Sequence, residues 1–256
     1  MADNPAAGHS RIWSMPLRYL ALLLPLAFVC ACGADDDDGL LTVTPTLPTV
    51  PTDTTISYLA LGDSYTIGTD VGEEDRWPVQ LARLLAERER IGVEPLDFIA
   101  RNGWRTDNLA NGIAAAAPQR NYDLVSLLIG VNDQFQGFDP NGYGERFAGL
   151  LSTSLRLAGG DTSNVFVVSI PDYAFTPFGG GREDISRAID RFNDTARKIA
   201  ERNGVPFYSV TEISRRGLAE PVLVASDDLH PSGVQYRRWV EEVLLTQVAA
   251  QLRDRP

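Results

Sequence analysis

The chain has 256 residues, of which 44% are hydrophobic and 22% are charged, so it can bury a sizeable core in one large or two small domains. This composition excludes wholesale disorder. The net charge of −11, from 23 basic and 34 acidic residues, argues against nucleic acid as a partner because phosphate contacts need a basic surface.

Several residue types are too scarce for common kinds of site. Lys198 is the only lysine and does not follow a Gly-rich turn, so the sequence contains no P-loop. The histidines are His9 and His230 and the cysteines are Cys30 and Cys32, which are too few for a His/Cys zinc site or a disulfide framework. We therefore expect neither a bound metal ion nor a cofactor.

Residues 1–31 have the layout of a secretory signal peptide. Arg11 and Arg18 precede an uncharged apolar stretch over 19–31, which is shorter than the roughly 20 residues that cross a bilayer. A basic flank, a short apolar run and small residues at its end are typical of exported proteins.

The end of this stretch, Val29-Cys30-Ala31-Cys32, resembles a bacterial lipoprotein box. The resemblance implies cleavage before Cys32, lipidation of Cys32 and anchoring in the cell envelope, facing the periplasm or the cell surface. Cleavage and secretion without a lipid are the alternative. A lipid anchor is the only membrane contact that we expect.

Residues 32–55 are predicted to form a tether. They include an acidic run over 35–38, and Pro45, Pro48 and Pro51 lie three residues apart, which matches the turn of polyproline II. An acidic run without a scaffolding turn is more typical of a solvated tail than of a calcium site.

From Ile56 onward, short apolar runs alternate with amphipathic stretches. The runs are rich in Val, Ile, Leu and aromatic residues, which is typical of buried parallel strands. The intervening stretches repeat apolar residues at helical spacing, as over 185–200 and 236–248. This alternation predicts a parallel sheet covered by helices on both faces, in one domain over 56–256. The predicted strands are Ile56–Leu61, Leu96–Ala100, Leu124–Ile129, Val165–Ile170 and Pro206–Val210.

Three of these strands are followed, three positions beyond their ends, by a distinctive residue: Ser64, Gly103 and Asn132. Ligands of open parallel sheets bind beyond the carboxyl ends of the strands, so these positions converge if the strands are neighbours. His230 lies in the loop after the last predicted strand, three residues after Asp227.

These residue types together suit acyl transfer. A serine hydroxyl is a poor nucleophile unless a base takes its proton, and histidine is the usual base near neutral pH. Ser64 and His230 can fill these roles. Asp227 can hold the imidazole in the correct tautomer, with Asp228 as the alternative acid. Activity should then rise with pH as the imidazole loses its proton.

The attacked carbonyl becomes an oxyanion, which needs hydrogen-bond donors. The candidates are the backbone N–H groups of Ser64 and Gly103 and the side-chain amide of Asn132. Removing one such donor typically lowers turnover ~10²–10³-fold. Asp63 and Asp133, each beside one of these donors, are predicted to hold their loops by hydrogen bonds.

Four sequence blocks resemble the SGNH (GDSL-type) hydrolase family: GDSY at 62–65, the glycine of RNGW at 103, GVND at 130–133 and DDLH at 227–230. The resemblance covers the whole predicted domain. Tyr65 in the first block stands where many members carry leucine. The resemblance implies a flavodoxin-like three-layer α/β/α sandwich with a five-stranded parallel sheet.

In that family, the residues that match Ser64, Gly103, Asn132 and His230 give the fold its name. The catalytic acid lies three residues before the histidine, which here is Asp227. Members of the family are esterases, lipases, thioesterases and carbohydrate deacetylases.

We therefore predict a metal-independent serine esterase that cleaves carboxylic esters through an acyl-enzyme. Its expected partner is a small-molecule ester with an acetyl or other short acyl group, and lipid and lysophospholipid esters are further candidates. Two alternatives stay open. One is an O-acyltransferase, in which an alcohol replaces water at the same site, and the other is a non-catalytic lipoprotein that binds a ligand.

The loops above the predicted site carry a group of aromatic residues. They can either wall an acyl or aryl pocket or pack beneath the loops. Gly179–Gly181 would allow one of these loops to move. The aromatic residues are Phe135, Phe138, Tyr143, Tyr173, Phe175 and Phe178.

Overall fold

The structure, a computed structural model, describes residues 41–43, 50–119 and 121–255. The predicted signal peptide and Cys32 lie outside these ranges, as does most of the predicted tether. No helix within the ranges is both long and apolar enough to cross a membrane.

The centre of the fold is a sheet whose strands run, in spatial order, β1-β3-β2-β4-β5-β6. Strands β2 to β6 run parallel to one another, which confirms the predicted five-stranded parallel sheet. The strands are β1 (Leu41–Val43), β2 (Thr54–Gly62), β3 (Ile91–Ala100), β4 (Leu124–Leu128), β5 (Val165–Val168) and β6 (Phe207–Tyr208).

The sheet differs from the sequence prediction by an added edge strand and in the bounds of several strands: β3 starts earlier, β5 ends at Val168 rather than Ile170, and β6 spans Phe207–Tyr208 rather than Pro206–Val210. Strand β1 lies within the segment predicted as a tether and pairs antiparallel with β3, which adds a sixth strand at the edge. Its three residues are too few to show a periodic pattern. Strand β3 begins at Ile91, five residues before the predicted start at Leu96. The prediction missed these residues because Pro95 interrupts the apolar run.

The helices fall into two packed groups, one on each face of the sheet, which gives the three layers. Helix α2 packs against both α8 and α9, and α5 packs against α3 and α6. A π-helical turn over Val240–Leu244 joins α8 to α9. The helices of the described residues are α1 (Ser64–Ile67), α2 (Trp77–Glu89), α3 (Thr106–Ala116), α4 (Val131–Phe135), α5 (Pro140–Leu157), α6 (Glu183–Arg202), α7 (Thr211–Ser214), α8 (Gly233–Trp239) and α9 (Leu245–Arg253).

The amphipathic periodicity of the sequence matches the buried helix faces. In α6 the buried side chains are Ile185, Ile189, Phe192, Ala196 and Ala200, all on the predicted apolar face. Burial of such a stripe against the sheet, rather than intrinsic helix propensity, supplies most of the stability of these helices.

The register of the sheet brings the carboxyl ends of three strands to one level. Gly62, the last residue of β2, pairs with Ala100 of β3 on one side and with Leu128 of β4 on the other. The segments that leave these strands therefore start side by side, as the prediction of a shared site required.

Asp63 is buried where β2 passes into α1. It caps the helix, because its Oδ1 accepts a hydrogen bond of 3.0 Å from the backbone N–H of Tyr65. Burial disfavours the charged carboxylate and raises the pKa of Asp63 to about 8; the Tyr65 bond opposes this shift and the charge of nearby Asp133 adds to it. Near neutral pH, Asp63 is therefore largely a neutral acid.

We expect an Asp63→Asn variant to change how stability depends on pH. The raised pKa means that the folded protein binds more protons than the unfolded chain between about pH 4 and pH 8. Asp63 thus contributes most to stability at low pH, and the contribution falls by up to about 1.4 kcal/mol per pH unit through this window. Asparagine is neutral and keeps an acceptor for the Tyr65 N–H. In urea titrations, the free energy of unfolding of the variant minus that of the wild type should therefore increase from pH 5 to pH 8.

Asp139→Asn is the matched control for this experiment. Asp139 also caps a helix, α5, but it is exposed, and its hydrogen bonds to the backbone N–H groups of Gly142 and Asn141 lower its pKa. Its proton binding does not change between pH 5 and pH 8. A difference between Asp63→Asn and wild type that stays constant across this range would contradict the buried neutral acid.

Candidate active site

A cavity of about 110 Å³ opens beyond the carboxyl ends of β2 and β4. Its polar lining comes from the loops that sequence analysis singled out, and its apolar lining comes mostly from aromatic rings. Three of the predicted site residues, Ser64, Asn132 and His230, line it together. The other lining residues are Tyr65, Asn102, Val131, Phe135, Tyr173, Phe178 and Leu229.

Ser64 is the first residue of α1 and is 4% exposed. Its position is fixed by the strand-to-helix turn. Its backbone carbonyl accepts hydrogen bonds of 3.0 Å from the N–H groups of both Gly68 and Thr69. The turn therefore holds the serine at the floor of the cavity.

His230 and Asp227 form a hydrogen-bonded pair. Oδ2 of Asp227 bonds Nδ1 of His230, and Oδ1 accepts from the backbone N–H groups of Leu229 at 3.0 Å and His230 at 2.9 Å. Asp227, not the alternative Asp228, contacts the ring. With Nδ1 occupied as a donor, Nε2 of the neutral imidazole is left as an acceptor.

The pKa of Asp227 is lowered despite partial burial. Burial acts to raise it, but the hydrogen bonds from the ring and backbone of His230 and from the N–H of Leu229 outweigh this effect. Asp227 is therefore ionised at neutral pH and stabilises positive charge on the imidazole.

The two remaining predicted donors differ in placement. The side-chain amide of Asn132 lines the cavity and donates one N–H to the carbonyl of Trp104 at 3.0 Å, which leaves its second N–H for another acceptor. Gly103 lies in the same loop as Trp104, in an exposed turn with φ +78°, and its neighbour Asn102 lines the cavity in its place.

A buried network ties the loops after β3 and β4 together. Asp133 accepts hydrogen bonds from the backbone N–H of Thr106 at 2.9 Å and from its hydroxyl at 2.6 Å. Arg146 donates to Asp133 at 3.2 Å and to the Thr106 hydroxyl at 2.8 Å. Asp133 has the scaffolding contacts expected of it, whereas Thr106 and Arg146 carried no sequence signal because their roles depend on contacts across elements.

A second buried carboxylate supports the far wall of the cavity. Asp172 accepts from the backbone N–H of Ala174 and from Nε of Arg215, each at 3.0 Å, and its own N–H donates to the Ser214 hydroxyl at 2.7 Å. This network anchors the chain directly before Tyr173. The network was not predicted from the sequence, although the Pro-Asp-Tyr that follows a strand was an available signal.

Three aromatic rings form the apolar wall, and we call them the aromatic wall: Phe135, Tyr173 and Phe178. Their ring centroids lie 6.1 to 6.3 Å apart. Phe135 and Phe178 are 58% and 54% exposed, which is unusual for phenylalanine and leaves much apolar area to bury on binding.

The other candidate aromatic residues pack elsewhere. Tyr143 is buried in the core against Phe147 and Phe192. Phe138 lies outside the cavity lining, with the guanidinium groups of Arg105 and Arg146 5.3 and 4.9 Å from its ring centroid. Some of the candidate aromatic residues thus wall the cavity, as one interpretation predicted, and others pack outside it.

Comparisons with known proteins agree with this fold. Residues 60–238 match the sequence profile of the GDSL-like lipase/acylhydrolase family. An arylesterase from Vibrio mimicus is 28% identical over 204 residues, which cover 76% of this chain and 88% of that protein.

Solved structures share the fold at low sequence identity. The crystal structure of TesA has a TM-score of 0.60 at 18% identity and covers 77% of this chain and 99% of its own. An acetylxylan esterase from Geobacillus stearothermophilus has a TM-score of 0.60 at 17% identity, with coverage of 81% and 100%. Because the family profile spans well over half of the chain, the protein belongs to the GDSL-like lipase/acylhydrolase family and is an ester hydrolase of the SGNH type.

Proposed function

We propose that the protein is a serine esterase that cleaves small carboxylic esters through an acyl-enzyme at Ser64. The observation that carries the proposal is that Ser64, the Asp227-bonded imidazole of His230 and the amide of Asn132 all line one cavity.

The proposed reaction has two half-reactions. Oγ of Ser64 attacks the ester carbonyl carbon while its proton passes to Nε2 of His230, and the imidazolium then gives that proton to the departing alcohol. Water attacks the acyl-enzyme in the same way, with His230 as base, and releases the acid and the free serine. Asp227 stabilises the imidazolium in both halves.

The oxyanion is proposed to be held by the backbone N–H of Ser64, the second N–H of the Asn132 amide and the backbone N–H of Gly103. The first two belong to cavity-lining residues. Gly103 shares a loop with Trp104, whose carbonyl accepts a hydrogen bond from Asn132, so the loop is tied to a cavity-lining residue.

The size of the cavity favours substrates with one small apolar group. Its volume of about 110 Å³ is well below the roughly 300–1,000 Å³ typical of pockets for drug-sized ligands. A short acyl chain or a single aromatic ring fits against the aromatic wall, and the rest of the substrate extends into solvent. The arylesterase similarity agrees with this size.

We also propose export and lipid attachment at Cys32. The support is the signal-like layout of 1–31 and the lipoprotein-box resemblance that ends at Cys32. A lipid there would hold the esterase in the cell envelope.

Replacing the nucleophile tests the reaction. Ser64→Ala should lower kcat for 4-nitrophenyl acetate at least about 10³-fold, and Asp227→Asn roughly 10²–10⁴-fold because the imidazole loses its orienting charge. Asp228→Asn, a change in the same loop at a residue without ring contact, should stay within about threefold of wild type. Equal rates for Ser64→Ala and wild type would exclude the serine mechanism.

Substitutions in the aromatic wall test the substrate class. Phe135→Leu and Phe178→Leu should raise KM for phenyl acetate about 3–10-fold, since contacts between aromatic rings contribute ~0.5–1.5 kcal/mol beyond area burial. KM for ethyl acetate should change less than about twofold. Phe138→Leu, an exposed phenylalanine outside the cavity, is the control. An equal loss with both esters, or the same loss in the control, would contradict a ring-binding wall.

Lipid attachment has its own paired test. In a bacterial host that processes lipoproteins, Cys32→Ser should move the protein from the membrane fraction to the soluble fraction, because the anchored thiol is gone. Cys30→Ser should leave it in the membrane fraction. Membrane association that survives Cys32→Ser would refute the anchor.

A further inference from the structure

Asp70 joins the segment that carries the nucleophile to the loop that carries the acid–base pair. We call residues 225–230 the histidine turn. Oδ2 of Asp70 accepts a hydrogen bond of 2.7 Å from the Ser226 hydroxyl and one of 3.0 Å from the backbone N–H of Asp227. These partners are 156 and 157 residues away along the chain, so a single oxygen atom connects two distant loops.

On its own side, Asp70 is closely coupled to Ser64. The N–H groups of Gly68 and Thr69, the two residues before it, both donate to the carbonyl of Ser64 at 3.0 Å. Asp70 has a φ of +63°, in the left-handed region that aspartate tolerates better than most residues. This backbone turns its carboxylate toward the histidine turn.

On the other side, the histidine turn is closed by its own hydrogen bonds. The Asp227 carboxylate is bonded to two backbone N–H groups and to the ring of His230, and the N–H of Ala225 donates to the carbonyl of His230 at 2.8 Å. Holding the N–H of Asp227 therefore sets the position of the imidazole.

We propose that Asp70 is a positioning residue that sets the separation between the Ser64 hydroxyl and the His230 imidazole. The inference rests on the proposed function and adds a residue to it. Asp70 and Ser226 are exposed and Asp227 is partly exposed, so water can replace their hydrogen bonds and removal costs the fold little. Catalysis is less tolerant, because a misplacement of about 1 Å can cost ~10²-fold in rate.

Two variants of Asp70 separate geometry from charge. Asp70→Ala removes the acceptor, and kcat for 4-nitrophenyl acetate should fall about 10–100-fold while KM changes less than about threefold, because the substrate-binding walls are untouched. Both hydrogen bonds converge on one oxygen, so the carbonyl oxygen of Asp70→Asn can accept both of them. This variant should keep kcat within about threefold of wild type.

Asp161→Ala is the matched control. One oxygen of Asp161 likewise accepts a serine hydroxyl, at 2.7 Å, and a backbone N–H, at 2.8 Å, both from Ser163, but it lies before the start of β5, whereas the cavity opens beyond the carboxyl ends of the strands. Its kcat should equal that of wild type, and its change in Tm should be similar to that of Asp70→Ala. A kcat for Asp70→Ala within twofold of this control, or an equal loss of kcat in Asp70→Asn, would overturn the proposal.

A measurement without turnover distinguishes this proposal from the proposed function. The imidazole signals of His230 in NMR spectra and the hydrogen exchange of the Asp227 amide should change in Asp70→Ala and stay unchanged in Asp161→Ala. If Ser64→Ala is as active as wild type, the serine mechanism fails while these signals still report the link. If Ser64→Ala is inactive and the signals do not respond to Asp70→Ala, the link fails alone.

Discussion

The site depends on the carboxyl ends of β2, β3 and β4 lying at one level. Gly62 makes this possible, since a Cβ at its position would lie 2.5 Å from the carbonyl oxygen of Leu128 and 2.1 Å from the Thr66 hydroxyl. The absent side chain lets β2 approach β4 closely just before the chain turns into α1. A slip of one residue in this register would turn every side chain of the slipped strand to the other face of the sheet and separate the loops that form the cavity.

Two carboxyl groups beside this edge are driven to opposite protonation states. Asp63, next to the nucleophile, is buried and largely neutral near pH 7, with its pKa raised to about 8. Asp227, next to the histidine, is partly exposed, bonded by several N–H groups and ionised. The environment thus concentrates negative charge at the imidazole and keeps it away from the serine, and such separation of pKa values is a common basis for dividing acid and base roles.

The sequence predicted the features that depend on local pattern. The order of strands and helices, the helix faces and the blocks after β2 and β4 appear where periodicity and turn residues indicate them, although strand bounds differ, and Asp227 three residues before His230 does bond its ring. Features that depend on contacts between distant segments of the chain were not predicted. Nothing local marks Asp70 as a partner of the histidine turn, and the exposed turn of Gly103 could not be told from a cavity-facing one.

The glycines at 179–181 suggested from composition that their loop can move, but the packing of the loop opposes such movement. A Cβ at Gly179 would lie 1.9 Å from the carbonyl oxygen of Tyr173, and the N–H of Gly181 donates to the carbonyl of Ala174 at 2.8 Å. The chain therefore closes back on itself and holds Phe178 beside Tyr173 before any ligand arrives. Because these rings are preorganised, little conformational entropy is lost when a flat, rigid group binds to them. The affinity at this wall therefore depends more on the shape of the bound group than on the flexibility of the loop.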